Sequence, residues 1–454
     1  MRTHIGRHTR RSVLAGASAS PLGAAGVLAS ACAPGAGSTP GASTGASSAA
    51  PANIRYAMWG DDALIDRERT ELIAKFQEKH PTIKVDAEVA VFATYWERMQ
   101  AEAAGGTAPD VIWMSVAYAW DYAHRKFVLN LQPLLDKDLK KDDYFYNVSA
   151  ATLRYPREDR GDLYAFPHRW VCSVLFYNKK LFDDAGQKYP SDDWTYDDVL
   201  AAAKRLTKDT ADPKTAGWGF YSHTGHTFLD ALINAHGGEV LTKDYTKSAL
   251  DQPKALQAIE WAANTITRDK VAPDAEAQKA LTQPGPGVFP SGRVAMLIDG
   301  SYNMERFKNA DFGWDVALVP KGPQKRVIYG GPDSYSITSG TKHKDQSWAF
   351  LKFAIGPNRP IESYPLGTVP IYKPTALSAE WLKRASVPAT RYKTAVLGAE
   401  PHVKGADFSS QWIEWRTKTM NEELAPAFRG ERSVAEAARA AAQKINQILA
   451  TVSR

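Results

Sequence analysis

The stretch Ile83–Met114, IKVDAEVAVFATYWERMQAEAAGGTAPDVIWM, decides the predicted fold because it holds two strand patterns with a helix pattern between them. Apolar residues alternate over Ile83–Val89 and cluster at the end of Asp110–Met114, and both patterns predict strands. Tyr95–Ala104 predicts a helix, and the glycine pair that follows predicts its end. Strands connected through a helix take right-handed crossovers and lie parallel, so the stretch predicts a doubly wound α/β lobe.

The same kind of pattern continues on the N-terminal side of this stretch. Ile54–Trp59 predicts a first strand, and Asp66–Lys79 predicts the helix that leads from it to the next strand. Ligands of such sheets bind beyond the carboxyl ends of the strands. The candidates at this edge are Trp59, Asp61 and Asp62 after the first strand, and Met114–Trp120 after the third.

The rest of the chain predicts a second α/β region. Phe166–Asn178 predicts a long extended segment, and Val294–Ile298 and Trp314–Val319 predict shorter strands. Capping boxes predict two helices, one that begins after Thr195 and one that begins after Ser433.

Residues 1–31 predict an export signal. They contain four arginines and no acidic residue, and their weakly apolar run is too short and too rich in glycine and alanine to span a membrane. Thr9–Leu14 resembles the twin-arginine export pattern, and Leu28–Cys32 resembles a bacterial lipoprotein cleavage box, although Ala29 stands where that box usually has a large aliphatic residue. Lipidation of Cys32 is therefore predicted, with simple cleavage near Ala31 as the alternative.

Residues 32–53 predict a lipid-anchored, flexible tether, because small and polar residues bury too little surface to offset the entropy of ordering them. Once Cys32 is acylated, Cys172 has no partner for a disulfide. Without the four arginines of the signal, the formal charge falls from +6 to +2. A charge this small argues against a nucleic-acid partner.

A series of short motifs follows in a fixed order along the body of the chain. They are Ala108–Val111, Tyr122–Pro133, Leu163–Pro167, Phe176–Phe182, Ala185–Gly186, Trp194–Thr195, Gly237–Gly238, Gly292–Met296, Asp299–Gly300 and Ala349–Ala354. Their order resembles the extracellular solute-binding proteins of ABC importers, in particular the sugar-binding family that includes maltose-binding protein. No single motif is specific, but the resemblance extends from about Ile54 to Leu449.

The resemblance implies two doubly wound α/β lobes joined by crossing hinge strands, the periplasmic-binding-protein fold of type II. The implied lobes are 54–168 plus 335–376 for the first and 169–334 plus 377–454 for the second. The implied crossings are near Pro167–Arg169, Gly330–Asp333 and Pro374–Ala379.

The implied function is that of the extracellular substrate-binding component of an ABC importer. Such a protein binds a sugar or oligosaccharide between its lobes and delivers it to the membrane permease when the lobes close. The implied partners are the carbohydrate, the transmembrane permease subunits and a cytoplasmic ATPase, with a lipid anchor on the outer face of the bacterial cell membrane. No cofactor and no metal is predicted, and a monomer is expected.

A sugar site needs aromatic platforms for the apolar faces of the ring and planar polar groups for its hydroxyls. The chain has 13 Trp and 19 Tyr, several of them in turns or at the ends of predicted elements. The predicted ligand-binding residues are Trp59, Asp61, Asp62, Tyr118, Trp120, His168, Arg169, Trp170, His226, Asp299, Tyr302, Asp333, Tyr335, Trp412 and Trp415. By the resemblance, Asp61 and Asp62 match acidic ligand contacts and Trp412 a stacking tryptophan, whereas Met114 stands where the maltose-type protein has a tryptophan.

Several of these residues have a second interpretation. Asp61 fits a helix N-cap, and Arg169 fits either a hinge ion pair or a fork onto a ligand carboxylate or paired hydroxyls, which leaves sugar acids open. His223 and His226 could bind a metal, but no third ligand is near them in sequence. Trp261 and Trp348 lie at helical spacing among apolar residues and are predicted to be core.

An exported glycoside hydrolase is the alternative function. The chain supplies carboxylates at Asp61, Asp62, Asp192, Asp193 and Glu414, but none of them forms a recognisable acid and nucleophile pair. Sequence signatures of serine hydrolases, phosphate-binding loops and zinc peptidases are absent. A binding protein is therefore the favoured prediction, and not an enzyme.

Overall fold

The computed structural model of the 454-residue chain describes residues 51–145, 162–208, 215–282, 287–386, 389–405 and 411–451. The predicted export signal, the lipidation site Cys32 and nearly all of the predicted tether lie outside the described residues. In the part of the chain that is described, no helix is both long enough and apolar enough to cross a membrane.

Three parallel strands open the fold. β1 (Ala52–Trp59) pairs with β2 (Ile83–Ala90) and with β3 (Val111–Ser115), so that β1 is the middle strand. Ile54 and Tyr56 of the middle strand have no solvent exposure, as expected for a strand covered on both faces. The three predicted strands and their parallel arrangement are therefore confirmed.

The helices between these strands begin earlier than predicted. The first helical segment runs as α1 (Asp62–Arg67), a π-helical stretch (Glu68–Ile73) and α2 (Ala74–Lys79). Asp61 is its N-cap and accepts a hydrogen bond of 2.9 Å from the Leu64 backbone N–H. α3 (Phe92–Gly105) ends at Gly106, whose φ of 66° is the left-handed conformation that glycine adopts without strain.

Further helices surround the sheet. In the first half of the chain they are α4 (Val116–His124), α5 (Gln132–Asp138), α6 (Lys179–Asp184), α7 (Tyr196–Leu206), α8 (Leu229–Ala235), α9 (Pro253–Thr267) and α10 (Ala275–Thr282). In the second half they are α11 (Asn303–Phe307), α12 (Lys344–Ile355), α13 (Lys373–Ala376), α14 (Ala379–Ala385), α15 (Tyr392–Ala395), α16 (Met420–Phe428) and α17 (Val434–Ala450). Short turns of 3₁₀ helix at Lys141–Asp143, Ile361–Ser363 and Leu397–His402, and a π-helical stretch at Ile413–Thr419, complete the helical segments of the described residues.

Two long strands connect the halves of the sheet. β4 (Phe166–Asn178) and β7 (Ile328–Ile337) pair in antiparallel fashion, and we call this paired segment the crossing. β7 also pairs with β3, whereas the end of β4 pairs with β5 (Met296–Gly300) and β6 (Trp314–Ala317). The predicted long strand at Phe166–Asn178 is confirmed.

Short strands complete the described sheet. β8 (Val369–Pro370) pairs with β4, and β9 (Val403–Lys404) pairs with β7. The architecture is that of two α/β lobes on a shared, curled sheet. We call the elements around β1–β3 the first lobe and those around β5 and β6 the second lobe, while the exact lobe boundaries remain predictions.

Capping and amphipathic packing fix the helices of the second lobe. The predicted capping boxes are both present, with Thr195 opposite Asp198 and Ser433 opposite Glu436. Each capping box satisfies two backbone groups that the helix end leaves unpaired.

Of the two tryptophans predicted to be core, Trp348 is buried and donates to Asp138, whereas Trp261 is half-buried and packs against the core.

Candidate functional site

Seven aromatic side chains gather where β1 and β3 end. We call them the first-lobe aromatic cluster: Trp59, Phe92, Tyr95, Trp96, Trp113, Tyr118 and Tyr122. Trp59 lies 5.1 Å from Trp113 and 5.9 Å from Trp96, measured between ring centroids. Trp96 stacks on Tyr118 at 3.7 Å with only 10° between the ring planes. The sequence-predicted residues Trp59 and Tyr118 therefore belong to one packed aromatic cluster, whose connecting rings Trp96 and Trp113 are buried.

The sequence prediction missed Phe92, Trp96 and Trp113. Phe92 and Trp96 lie one helical turn apart at the start of α3, which begins directly after β2. Phe92 is 42% exposed, and its neighbour Val91 is 64% exposed. A sequence signal existed, because α3 begins at the same sheet edge where the candidates after β1 and β3 were sought.

A smaller group of aromatic rings, Trp412, His226 and Tyr329, lies in the second lobe. The ring of Trp412 lies 5.4 Å from the ring of His226, which lies 4.6 Å from the ring of Tyr329. Burial, with a further contribution from the Arg416 charge, lowers the pKa of His226 to about 4. His226 is therefore a neutral ring at pH 7, and the two predicted residues His226 and Trp412 are in contact.

Arg416 lies close to this second-lobe aromatic group and is held by several hydrogen bonds. Its Nε lies 3.0 Å from both carboxylate oxygens of Asp230, and its Nη2 lies 2.6 Å from Oδ1. Asn421 and the Thr224 carbonyl accept its remaining hydrogen bonds. The side chains of Arg416 and Asp230 are only 1% and 7% exposed.

A cavity of about 710 Å³ is lined by one aromatic residue from each of these two groups. Tyr118 lines it from the first lobe, and Trp412 lines it from the second. The remaining lining residues are Gln100, Asp121, Arg125, Gln411, Glu414, Thr419, Lys444, Gln447, Ile448 and Thr451. Asp121 pairs with Arg125 at 3.0 Å, and Glu414 pairs with Lys418 at 3.4 Å, so the charges at its rim are largely compensated.

Arg169 and Asp333 form an ion pair between the two strands of the crossing. Nε and Nη2 of Arg169 each lie 2.8 Å from Oδ2 of Asp333. The guanidinium lies 4.8 Å from the centre of the Trp113 ring, within range of a cation–π contact. Of its two sequence interpretations, the ion pair across the crossing is therefore present.

His168 and Tyr335 lie beneath this pair in the protein interior. Their rings stack at 4.4 Å, and neither residue has solvent exposure. Burial, together with the charges of Arg169 and Arg359, holds the pKa of His168 well below its usual value. His168 is therefore neutral, and neither ring presents surface to a ligand in this conformation.

A second buried arginine, which the sequence prediction missed, organises that interior. Arg359 donates from Nη2 to Glu68 at 2.6 Å, from Nε to Ser363 at 2.8 Å and from Nη1 to the Tyr335 hydroxyl at 2.7 Å. The side chains of Arg359 and Glu68 are both 0% exposed. Tyr56 donates to the other oxygen of Glu68 at 3.2 Å and accepts from the Trp113 indole.

The turn at Asp299 and Tyr302 forms a compact hydrogen-bonded unit. Oδ1 of Asp299 accepts from Thr227 at 2.9 Å and from the Gly300 backbone at 2.7 Å, and Oδ2 accepts from Asn303 at 3.0 Å. The Tyr302 hydroxyl lies 3.3 Å from the same carboxylate, and the Tyr302 side chain is 43% exposed. Asp299 is thus occupied by protein donors, while Tyr302 is available to solvent.

The other predicted site residues lie apart from the cavity lining. Asp61 acts as the N-cap of α1, which is its second interpretation, and Asp62 is exposed in the first turn. Trp120, Trp170 and Trp415 are 7%, 1% and 0% exposed. These three tryptophans pack in the interior, so a ligand contact from them would require movement.

Three of the carboxylates considered for an enzyme, Asp192, Asp193 and Glu414, form ion pairs with basic side chains. Asp192 pairs with Arg391, and Asp193 lies 2.7 Å from Lys321. His223, considered with His226 for a metal, instead contacts the Gly225 backbone N–H and the Ile298 carbonyl. Across the described residues there is no group of three or more His, Cys, Asp or Glu side chains placed to hold a metal ion.

The sequence matches a known protein family and several of its members. Residues 63–358 match the family of bacterial extracellular solute-binding proteins. A putative binding protein of Brucella abortus is 25% identical over 297 residues, which cover 62% of this chain and 67% of the relative. A maltooligosaccharide ABC transporter solute-binding lipoprotein of Streptococcus pneumoniae is 24% identical and covers 63% of this chain and 64% of its own.

Solved structures share the fold. An ABC substrate-binding protein of Listeria monocytogenes, solved in complex with cycloalternan, superposes with a TM-score of 0.74 at 22% identity, over 88% of this chain and 99% of that one. The sugar-binding protein MalE of Xanthomonas citri superposes with a TM-score of 0.71 at 20% identity, over 88% and 98%. The fold is therefore that of the two-lobed sugar-binding proteins. Because the family match covers well over half of its length, the chain belongs to the bacterial extracellular solute-binding protein family.

Proposed function

We propose that this protein is the substrate-binding component of an ABC importer and that its ligand is a sugar or an oligosaccharide. Its relatives support the proposal, since they include a maltooligosaccharide ABC transporter solute-binding lipoprotein and a galactooligosaccharide-binding protein. Structures of similar fold contain cycloalternan or acarbose, which are also carbohydrate-like.

The observation that carries the proposal is the cavity between Tyr118 and Trp412. Its volume of about 710 Å³ lies within the range of about 300–1,000 Å³ that is usual for small-molecule sites. Aromatic rings at opposite walls suit the apolar faces of a pyranose, and the amide and hydroxyl groups of Gln100, Gln447 and Thr451 suit its hydroxyls. The charged lining residues Asp121, Arg125, Glu414 and Lys444 are paired within the protein, so aromatic rings with amide and hydroxyl groups favour carbohydrate over an amino acid or a metal.

The mechanism follows from the cavity having one wall in each lobe. A ligand that touches both Tyr118 and Trp412 binds the closed arrangement more tightly than an open one and shifts the population toward it. Micromolar affinity corresponds to about −8 kcal/mol, and only the contacts made across the cleft contribute to closure. The closed form is then the one that the permease subunits recognise.

The cellular arrangement completes the proposal. The export signal directs the chain out of the cell, and a diacylglyceryl group on Cys32 anchors it to the outer face of the membrane. Residues 33–53 then act as a flexible tether that lets the two-lobed body reach the permease. The protein acts as a monomer and returns its ligand unchanged.

Ligand screening by thermal unfolding tests the proposal. The full chain, solubilised in mild detergent, is unfolded with a panel of mono- and oligosaccharides, uronic acids, amino acids and divalent metals. A ligand at a hundred times its dissociation constant stabilises the native state by about 2.7 kcal/mol, so a sugar that binds must raise the midpoint. A response only to amino acids or metals would contradict the proposal, and conversion of the sugar to products would favour the glycoside hydrolase instead.

Tyr118→Ala locates the site of binding. Because this side chain lines the cavity and stacks on Trp96, its removal is expected to weaken binding of the sugar about tenfold, or about 1.4 kcal/mol. Tyr189→Ala is the control, since Tyr189 is an exposed tyrosine outside the cavity lining that also packs against other rings and donates its hydroxyl to Asp183. Titration calorimetry of both variants against the wild type measures the difference, and equal affinities would place the site elsewhere.

A further inference from the structure

Two neighbouring apolar side chains are exposed at the start of α3. Val91 is 64% exposed and Phe92 is 42% exposed. The other exposed large hydrophobic side chains in the described ranges lie apart from one another in sequence, at Tyr189, Tyr302 and Leu377. A single exposed apolar residue is ordinary, whereas a contiguous exposed apolar area marks a binding surface. The rings around Val91 and Phe92 decide which case applies.

Partly exposed aromatic rings extend this pair into a larger surface. The ring centroid of Phe92 lies 5.4 Å from that of Trp59 and 6.4 Å from that of Tyr118. Trp59 and Tyr118 are half-buried, unlike the interior rings of the first-lobe aromatic cluster. We call Val91, Phe92, Trp59 and Tyr118 the apolar patch. It consists of the rings of the cluster that water reaches, together with Val91.

The structure of α3 does not account for the apolar residue at position 91. Val91 is the N-cap of this helix, and its side chain makes no capping hydrogen bond. Serine, threonine, aspartate or asparagine would accept a backbone N–H there, so valine is among the least favourable N-cap residues. Val91 therefore serves neither the helix end nor the core. Such departures from the local rules of folding are expected at functional sites.

The apolar patch continues the cavity along α3. Tyr118 belongs to the patch and also lines the cavity. Phe92, Trp96 and Gln100 follow one another at intervals of four residues, which keeps their side chains on one side of the helix, and Gln100 lines the cavity. At a rise of about 1.5 Å per residue, Phe92 and Gln100 lie about 12 Å apart along the helix axis. A ligand of about that length, with its polar end at Gln100, therefore reaches the apolar patch with its other end.

We propose that the ligand is a glycoside with an apolar, aromatic aglycone, and that the apolar patch binds this aglycone while the cavity binds the sugar. This inference rests on the proposed function. Val91 and Phe92 have no side-chain group that hydrogen-bonds to a sugar hydroxyl, whereas contact with an apolar group removes their exposed surface from water. An aromatic aglycone also packs favourably against the rings of Phe92 and Trp59, in offset or edge-to-face arrangements.

Paired glycosides test the inference. The full chain, in a zwitterionic detergent without a sugar headgroup, is titrated calorimetrically with the methyl and the para-nitrophenyl glycosides of glucose, galactose, maltose and lactose. For the sugar that binds, we expect the aryl glycoside to bind at least about tenfold more tightly than the methyl glycoside. Equal affinities within the pair overturn this inference alone. Failure of the wild type to bind any of these glycosides, or any sugar of the thermal-unfolding panel, overturns the proposed function and this inference with it.

Val91→Ser separates a binding role from a structural one. Serine suits the N-cap of α3, so this variant is expected to unfold at a higher temperature than the wild type. It also removes exposed apolar surface, so the ratio of aryl to methyl affinity is expected to narrow about threefold, and Phe92→Ser is expected to narrow it further. Leu377→Ser is the matched control, because Leu377 is 56% exposed and lies outside the cavity lining. An unchanged ratio in both patch variants, or an equal change in the control, overturns the inference.

A second copy of the chain is the competing occupant of an exposed apolar patch. Sedimentation equilibrium of the wild type and of Phe92→Ser distinguishes the two. We expect both proteins to sediment as monomers at every concentration. A wild-type dimer that Phe92→Ser dissociates would mean that a second copy covers the patch, and it would overturn the inference.

Discussion

The interiors of the two lobes and the crossing between them each contain a buried arginine paired with a carboxylate, but the pairs are completed differently. In the lobe interiors, Arg359–Glu68 and Arg416–Asp230 use all of their nitrogen atoms within the protein. At the crossing, Arg169 uses two nitrogens on Asp333 and leaves the third without a partner in the described residues. The same residue types therefore build both closed networks and an open one.

The difference concerns how fully the protein offsets the cost of burying each charge. A buried charge is costly to desolvate, and the protein offsets that cost only where every donor and acceptor is satisfied. Arg359 and Arg416 meet this condition, so their networks are expected to stabilise the interiors of the two lobes. Arg169 differs, because its Nη1 takes no part in the pairing with Asp333.

Breaking a closed network is expected to give the largest effect. Glu68→Ala leaves the Arg359 charge unpaired where both side chains are 0% exposed, and it is expected to lower the free energy of unfolding by about 3–5 kcal/mol. Urea unfolding followed by fluorescence measures the loss. Replacing both members, as Glu68→Met with Arg359→Met, removes the unpaired charge and is expected to recover most of the stability. A loss below about 1 kcal/mol in the single variant would contradict a structural role.

Protonation of the second-lobe surface is expected to give the next largest effect. Burial and Arg416 lower the pKa of His226 from 6.5 to about 4, whereas Asp230 and Asp299 act in the opposite direction. The folded chain binds this proton less readily than the unfolded chain, so its contribution to stability is complete above pH 6.5. That contribution is lost as the pH drops below 6.5, and the loss amounts to about 3 kcal/mol by pH 4.

The variant His226→Gln isolates this contribution. Other described histidines, among them His168 and His236, also have lowered pKa values and destabilise the fold in the same direction as the pH falls. The difference in unfolding free energy between wild type and variant is therefore measured at a series of pH values between neutral and acidic conditions. We expect this difference to shrink steadily as the pH falls below 6.5. A constant difference would mean that His226 is not the titrating group.

The fold could be predicted from sequence where one local pattern decides an element. Short apolar patterns identified β1–β3, with alternation in β2 and a cluster in β3, and a long extended stretch identified β4. Asp61 also fitted an N-cap, yet the helix was predicted to begin near Asp66 because the apolar period is clear only from there. No local sequence pattern predicts the π-helical stretch at Glu68–Ile73. We infer that its geometry positions Glu68 for its buried pairing with Arg359, which is distant in sequence.

The site was less predictable because its groups meet only in three dimensions. Tyr118 and Trp412 were predicted from their positions after strands and by resemblance, and both line the cavity. Arg359 and Glu68 were missed, because they are 291 residues apart in sequence and neither lies in a recognisable motif. Their pairing depends on packing between α1–α2 and the segment after α12, which no periodicity encodes.

The smallest effect is expected for an ion pair that connects the lobes at the surface. Arg67 of α1 lies 3.0 Å from Glu305 of α11, and both side chains are 23% exposed. Burial raises the pKa of Glu305, but hydrogen bonds from Lys308 and the Leu366 backbone and the Arg67 charge outweigh it and bring the pKa to about 2. Glu305 therefore stays ionised, and several donors share its charge.

Because these donors are redundant and water reaches the pair, Arg67→Ala is expected to cost less than about 1 kcal/mol of unfolding free energy, and high salt should reduce the difference further. Glu305→Ala is expected to cost more, since it also removes the acceptor that holds the Leu366 N–H at 2.8 Å. Urea unfolding at low and high salt measures both. The ligand affinity of Arg67→Ala shows how far this pair contributes to the arrangement of the two lobes. A pair that spans the lobes favours the arrangement seen here, so its loss should weaken sugar binding by less than about fivefold. A larger loss of affinity with unchanged stability would mean that closure depends on this surface contact more than on the cavity walls.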